Sequence, residues 1–326
     1  MLKARITGTG LYVPKKVLTN FDIEKMVDTS DEWIRERTGI RERRIAAKEE
    51  AASDLALMAS NEALKSAGLK ARKLDLIVVA TVSSDMLLPS TACILQHRIG
   101  AKKAAAFDVN AACSGFIYAL STADAYIRAG IYRRVLVVGS EVLSRITDWT
   151  DRSTCVLLGD GAGAVVLEAT DGDRGILSVK LNADGSMWDL LHIPAGGSRM
   201  PATEKTVKEG LHYIKMRGNE TFKVAVRTLE KLVLSTLKEH KLKPEDISLL
   251  IPHQANLRII SATAKRLGLG LEKVMINLDR YGNTSAASIP IALDEAVRSG
   301  RVREGDYIIL EAFGGGLTWA SALIKW

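Results

Sequence analysis

The chain has 326 residues, 47% of them hydrophobic and 25% charged, a composition that buries a substantial core and excludes wholesale disorder. No apolar run approaches the roughly 18 residues of a membrane span, so no membrane insertion is expected. A formal net charge of +7 suits an anionic ligand or an acidic protein partner. No basic run with interleaved aromatics occurs, so no nucleic-acid partner is expected.

In chain order, Ala4-Arg-Ile-Thr-Gly8 reads as a strand, without the apolar centre of a signal peptide. Residues 74–80 form an apolar run. Phe107-Asp-Val-Asn-Ala-Ala-Cys113 then leads into a helical stretch over 114–129, stopped by Gly130 and followed by the buried strand Val135-Leu-Val-Val-Gly-Ser-Glu141. About 170 positions further on, the same order recurs in residues 277–283, a helical stretch ending at Gly300, and Tyr307-Ile-Ile-Leu-Glu311. The runs at 74–80 and 247–252 match as well, and so do Gly161-Ala-Gly-Ala-Val-Val-Leu167 and Thr318-Trp-Ala-Ser-Ala-Leu-Ile324. The pattern predicts an α/β protein of two similar halves, 1–170 and 171–326, packed face to face. Under the 170-residue offset Cys113 and Asn283 are equivalent and face one cavity.

Three cysteines are too few for a disulfide framework and suit a reducing cytoplasm. Cys93 and Cys155 lie in apolar stretches and read as core. Cys113 precedes a helix whose dipole and free N–H groups favour thiolate, and its small neighbours Ala111, Ala112 and Gly115 leave room for a substrate. A small buried hydrophobe is the alternative reading. His253 follows a buried strand, where α/β proteins place active sites, or is a satisfied polar residue. Asn283 fits a site or a helix cap. Phe313-Gly-Gly-Gly-Leu-Thr-Trp319 fits an oxyanion hole or a tight turn. Gly159-Asp-Gly-Ala-Gly163 lacks dinucleotide-loop spacing and reads as a turn. No H-E-x-x-H, C-x-x-C or Walker sequence supports metal or P-loop chemistry, so neither metal nor cofactor is expected.

Several segments together resemble β-ketoacyl-acyl carrier protein synthase III over essentially the whole chain. They are Ser30-Asp-Glu-Trp-Ile-Arg-Glu-Arg-Thr-Gly-Ile-Arg-Glu-Arg43, Asn110-Ala-Ala-Cys-Ser-Gly115, Gly159-Asp-Gly-Ala-Gly163, His253-Gln-Ala-Asn256, Gly282-Asn-Thr-Ser-Ala286 and Gly314-Gly-Gly316. The resemblance implies a five-layered αβαβα thiolase fold and a cytoplasmic homodimer. It implies an acyltransferase that condenses an acyl-CoA starter with malonyl-acyl carrier protein to begin fatty-acid synthesis. The positions matching the family's triad are Cys113, His253 and Asn283, with the backbone N–H groups of Cys113 and Gly315 as oxyanion hole and Phe313 supporting carboxylate loss. Trp33, Arg37, Arg152 and Asn219 match CoA contacts, and Lys223, Arg258, Lys265 and Arg266 match carrier-protein docking positions. Leu88 stands where many members place a phenylalanine reaching into the partner's acyl pocket, which bears on the choice of starter. A polyketide or quinolone-type relative with another starter or acceptor is the alternative. A hydroxymethylglutaryl-CoA synthase would need a glutamate that Thr81-Val-Ser-Ser-Asp85 lacks. Elongating ketosynthases and thiolases carry a histidine or cysteine where Asn283 stands, and an intact triad argues against a non-catalytic acyl-CoA-binding protein.

Overall fold

The structure, a computed structural model, describes residues 2–326, and the side chain of Asn219 lies outside the described residues. Two sheets form its frame. The first contains β1 (Lys3–Tyr12), β2 (Leu76–Ala80), β3 (Ala105–Val109), β4 (Arg134–Glu141) and β5 (Gly161–Thr170), in the order β1-β5-β4-β2-β3. The second contains β6 (Gly175–Ala183), β7 (Leu249–Pro252), β8 (Tyr307–Gly314) and β9 (Thr318–Lys325), in the order β7-β8-β9-β6. Each sheet pairs its short, fully buried strand in parallel with a neighbour (β2 with β4, β7 with β8) and closes with antiparallel partners.

The helices fill the layers between and outside these sheets. They are α1 (Asp31–Thr38), α2 (Ala52–Ser66), α3 (Thr91–Arg98), α4 (Gly115–Arg128), α5 (Gly218–Glu239), α6 (Leu257–Arg266) and α7 (Ser288–Arg298). α4 and α7 lie between the sheets, α2 and α3 cover the outside of the first, and α5 and α6 that of the second. The body therefore has five layers, αβαβα. Strand periodicity explains the sorting of side chains. Leu76, Val78 and Ala80 of β2 join the central core, whereas Ile77 and Val79 join the outer one. A strand covered on both faces needs the unbroken apolar run seen at 74–80.

The observed register corrects the repeat offset. Leu76 and Leu249 open matching strands, Arg134 and Tyr307 the next pair, and Gly115 and Ser288 the central helices, each pair 173 positions apart. Cys113 is thus equivalent to Ala286, and Asn283 lies three residues before that point. The offset of 170 came from the helix ends, because α7 is three residues shorter than α4.

Cys93 is exposed, not core. The buried side of α3 carries Thr91, Ala92 and Leu95, which turns Cys93 outward by helical geometry. Cys155 is buried as expected. Gly163, within the Gly-Asp-Gly-Ala-Gly stretch, sits at a close helix–strand approach. A Cβ there would lie 2.6 Å from the main-chain nitrogen of Ile291 in α7. Among the described residues, no helix is long and apolar enough to cross a membrane.

Candidate active site

Cys113 is presented by a one-turn 3-10 segment, Ala112–Ser114, between β3 and α4. The turn puts Ala112 at φ 47°, a left-handed conformation costly for a residue with a Cβ. Tertiary hydrogen bonds hold it there. The Thr318 hydroxyl donates to the Ala111 carbonyl at 2.9 Å, and the Ser114 hydroxyl donates to the Thr318 carbonyl at 3.1 Å. Burial pushes the Cys113 thiol up to about 11, partly opposed by Ser285 and reinforced by the Glu141 carboxyl. This overturns the expectation of a resting thiolate, because desolvation of a buried sulfur outweighs its place at a helix start.

Two cavities meet at this residue. The larger, of about 390 Å³, is lined by Asn283, Ser285, Gly315 and Gly316 on one side and by apolar Val82, Leu143, Leu158 and Ile214 on another. The smaller, of about 150 Å³, is lined by His253, Phe313, Gly314, Phe222 and Asn256. Cys113 and Asn283 border both. The chain thus brings Cys113, His253 and Asn283 together from β3–α4, the end of β7 and the approach to α7.

His253 is anchored at both ends. Its main-chain N–H donates to the Glu311 carbonyl at 2.7 Å, and its Nδ1 lies 2.7 Å from the Ser288 hydroxyl. That hydroxyl also accepts from the Gln254 main-chain N–H at 3.3 Å. Burial holds the imidazolium down to about 4, so the ring is neutral at physiological pH. Asn283 is clamped through its main chain to Leu157 and Gly159, and its Oδ1 accepts from the Ser285 N–H at 2.9 Å. Asn283 is not a helix cap, since Thr284 and Ala287 stand at those positions; its Oδ1 closes a local turn, while its Nδ2 is left as a donor.

The Gly314–Gly316 segment bears out the turn reading given to it. It turns β8 into β9, and it packs on the nucleophile's loop. A Cβ on Gly314 would lie 2.6 Å from the Cys113 nitrogen. Gly315 and Gly316 line the larger cavity, and Phe313 stacks on Trp319 at 6.4 Å beside the smaller one.

Of the expected CoA contacts, Trp33 in α1 and Arg152 meet, the guanidinium lying 5.0 Å over the indole ring. Arg152 also donates to the Asp28 carbonyl at 2.8 Å, and its neighbour Thr154 lines the larger cavity. Arg37 is exposed in the last turn of α1. Lys223, Arg258, Lys265 and Arg266 are exposed on α5 and α6. Arg258 lies 5.4 Å over Phe222, which lines the smaller cavity, and Arg266 is held by Glu230 at 2.6 Å. Leu88 is 86% exposed beside Leu87 and Met86, and lines neither of its own chain's two cavities. Among the described residues, no group of His, Cys, Asp and Glu side chains is placed to hold a metal ion.

Sequence reasoning missed Ser285, Ser288 and Glu141. The two serines lie within and just after the Gly-Asn-Thr-Ser-Ala stretch, but only packing shows which way they face. Glu141 did carry a signal, a carboxylate closing an otherwise apolar strand.

Residues 107–185 match the family model described as 3-oxoacyl-[acyl-carrier-protein (ACP)] synthase III, and residues 237–326 match the model of its C-terminal part. The chain is 58% identical over 325 residues to a β-ketoacyl-[acyl-carrier-protein] synthase III of Caldanaerobacter subterraneus, covering 100% of this chain and 98% of the relative. A Xanthomonas campestris protein of the same name is 58% identical over 323 residues, covering 99% and 98%. Among solved structures, 3-oxoacyl-[acyl-carrier-protein] synthase III from Aquifex aeolicus superposes with a TM-score of 0.92 at 52% identity, covering 99% of this chain and 100% of that one.

Proposed function

Since this chain belongs to the 3-oxoacyl-[acyl-carrier-protein] synthase III family and is a condensing acyltransferase, we propose that it joins an acyl-CoA starter to malonyl-acyl carrier protein through Cys113. The observation that carries this reading is the convergence of Cys113, His253 and Asn283 on two adjoining cavities. The acyl-CoA carbonyl meets Sγ, and the main-chain N–H groups of Cys113 and Gly315 receive the developing oxyanion. CoA leaves, and the acyl group stays on Cys113 as a thioester. Malonyl thioester then loses carbon dioxide, and the enolate attacks the Cys113 acyl carbon.

The donors suit that second step. With Ser288 accepting from Gln254, its own proton turns to His253 Nδ1, which leaves the ring proton on Nε2. His253 Nε2–H and Asn283 Nδ2–H together stabilise the enolate oxygen. A neutral imidazole suits this task, because it donates without adding a buried charge. Phe313 gives the departing carboxylate an apolar surround, which favours the neutral product over the ion.

Trp33, Arg37 and Arg152 receive the nucleotide end of CoA, since an indole and a guanidinium both stack on a purine. Lys223, Arg258, Lys265 and Arg266 flank the smaller cavity and attract an acidic carrier protein. The exposed Met86, Leu87 and Leu88 supply an apolar contact for a second copy, as expected of a homodimer, with Leu88 bearing on starter choice. The enzyme acts in the cytoplasm.

Incubation with labelled acyl-CoAs of increasing chain length and with malonyl-acyl carrier protein tests the reading. Wild-type protein acquires one acyl group on Cys113 and forms β-ketoacyl product, and the chain-length series reports the preferred starter. Equal labelling of a Cys113→Ala variant overturns the assignment.

A further inference from the structure

Arg43 lies in the short strand Glu42–Ile45 and has no exposed surface. Its guanidinium hydrogen-bonds only to neutral acceptors. Nη1 donates to the Leu18 carbonyl at 3.2 Å and to Asn20 Oδ1 at 2.9 Å, and Nη2 donates to the Val156 carbonyl at 2.6 Å. Nε is buried without a partner. A charge taken out of water and matched by neutral groups costs stability, so Arg43 contributes more as a brace than as a stabilising charge.

What it braces is the segment that carries Asn283. Val156 is followed by Leu157, whose carbonyl accepts from the Asn283 N–H at 2.8 Å, and the Gly159 N–H donates to the Asn283 carbonyl at 3.0 Å. Leu158 and Asn283 thus face each other in a small parallel bridge. The Arg43 stem packs against both sides of it. A Cβ on Gly159 would lie 3.0 Å from Arg43 Cβ, and one on Gly282 would lie 3.2 Å from it. Main-chain bonds on either side of Arg43 reach the same two segments. The Arg41 N–H donates to the Asp279 carbonyl at 3.0 Å, and the Asp160 N–H donates to the Arg44 carbonyl at 2.9 Å. At its other end the guanidinium rests on a fixed base. Asn20 is fully buried, and its Nδ2 donates to Asp31 Oδ1 at 2.9 Å and to the Ile40 carbonyl at 2.8 Å.

We propose that Arg43 is a positioning residue for Asn283, fixing the place from which its Nδ2 reaches the enolate oxygen. This rests on the reading of Asn283 as an enolate donor. The planar fork is what suits the task, because its two nitrogens hold Asn20 and Val156 at once. A lysine there offers a point charge without that fixed spacing. With the Val156 carbonyl released, residues 157–159 and Asn283 move as one unit, and a donor misplaced by about 1 Å costs up to a hundredfold in rate. The oxyanion donors of acylation, the N–H groups of Cys113 and Gly315, stand on segments to which the Arg43 side chain makes no hydrogen bond. Acylation is therefore spared while decarboxylation suffers.

A double-mutant cycle on the full-length protein tests this. Its readouts are the kcat of malonyl-acyl carrier protein decarboxylation and the rate of Cys113 acylation at saturating acetyl-CoA and isobutyryl-CoA. Arg43→Lys should lower the decarboxylation kcat by about tenfold or more, with KM and acylation unchanged. Added to Asn283→Ala it should cause no further loss, because the amide it positions is gone. Asn20→Ala, which loosens the guanidinium without replacing it, should show the same pattern with a smaller loss.

If Asn283→Ala decarboxylates as fast as wild type, the underlying reading of Asn283 fails. If Asn283→Ala is slowed while Arg43→Lys matches wild type, the positioning role alone fails. Losses that multiply in the double variant, or acylation that falls in step with decarboxylation, mark a merely structural role and also overturn it. Should Arg43→Lys show no cooperative denaturant transition, Asn20→Ala carries the same cycle. A wild-type rate or multiplied losses in that variant then decide against Arg43.

Discussion

The two sheet-and-helix halves share one register, yet at several positions around the site one half carries a polar or reactive side chain and the other a small residue, whereas Asn283 falls opposite Asn110, which lines the same cavity. Cys113 is equivalent to Ala286, His253 to Ala80, Glu141 to Gly314 and Ser285 to Ala112, all 173 positions apart. Both 3-10 turns even keep the same left-handed residue, Ala112 at φ 47° and Ser285 at φ 48°. The difference teaches that the site is asymmetric chemistry on a symmetric frame. A thiol in both turns, or a side chain at Gly314, would fill the space where substrate and nucleophile meet.

The strongest way to break the comparison is to exchange its nucleophile. Cys113→Ala is expected to lower condensation by about 10⁴-fold or more. Adding Ala286→Cys, the equivalent place in the second half, should restore none of it, as acyl-enzyme formation would report. Recovery would mean that the turn alone, rather than its surroundings, makes the nucleophile.

His253→Ala removes the group for which the first half has only Ala80. Malonyl thioester decarboxylation should fall by about 10²–10³-fold, while acylation of Cys113 is spared. Carbon dioxide release and intact-protein mass measure the two steps separately. Loss of acylation would assign His253 to activating the thiol instead.

Gly314→Ala tests the complementary requirement for space. Its Cβ would meet the Cys113 main-chain nitrogen at 2.6 Å, a backbone atom that does not yield easily. A destabilisation of about 1–3 kcal/mol is expected, seen as a lower denaturant midpoint together with slower acylation.

The smallest effect sharpens the comparison outside the site. Glu311 occupies the position of Val138, 173 residues earlier, and is fully buried with neither carboxyl oxygen hydrogen-bonded. Burial raises it to about 8, from an ordinary value of 4.5. The folded state therefore holds this proton after the unfolded chain has released it. Its contribution is fully present below about pH 4.5 and is lost as pH rises towards 8. Glu311→Gln should be more stable than wild type by about 1–2 kcal/mol at pH 8, with the difference vanishing below pH 5. Denaturant unfolding at the two pH values checks it.

How much was legible in the sequence depends on how local each cause is. The buried strands 74–80, 135–141 and 307–311 were readable because a strand covered on both faces must be apolar throughout. The repeat was readable too, but its offset was taken from helix ends, and helix length is free to vary where strand register is not. Cys93 was misplaced because an apolar stretch does not say which helical side faces inward. The thiol's acidity was misjudged for a related reason: a helix start can be read from sequence, whereas depth of burial cannot.

By itself the sequence determined the α/β class, the alternation of strands and central helices, and the residue types Cys113, His253 and Asn283 at strand and helix ends. These follow from short-range periodicity, capping and glycine placement. Only the tertiary structure decided that Ser288 orients His253 and that Gly314 must lack a side chain. Those relations join segments distant in the chain, where packing of two sheets on shared helices, not local pattern, sets which groups touch.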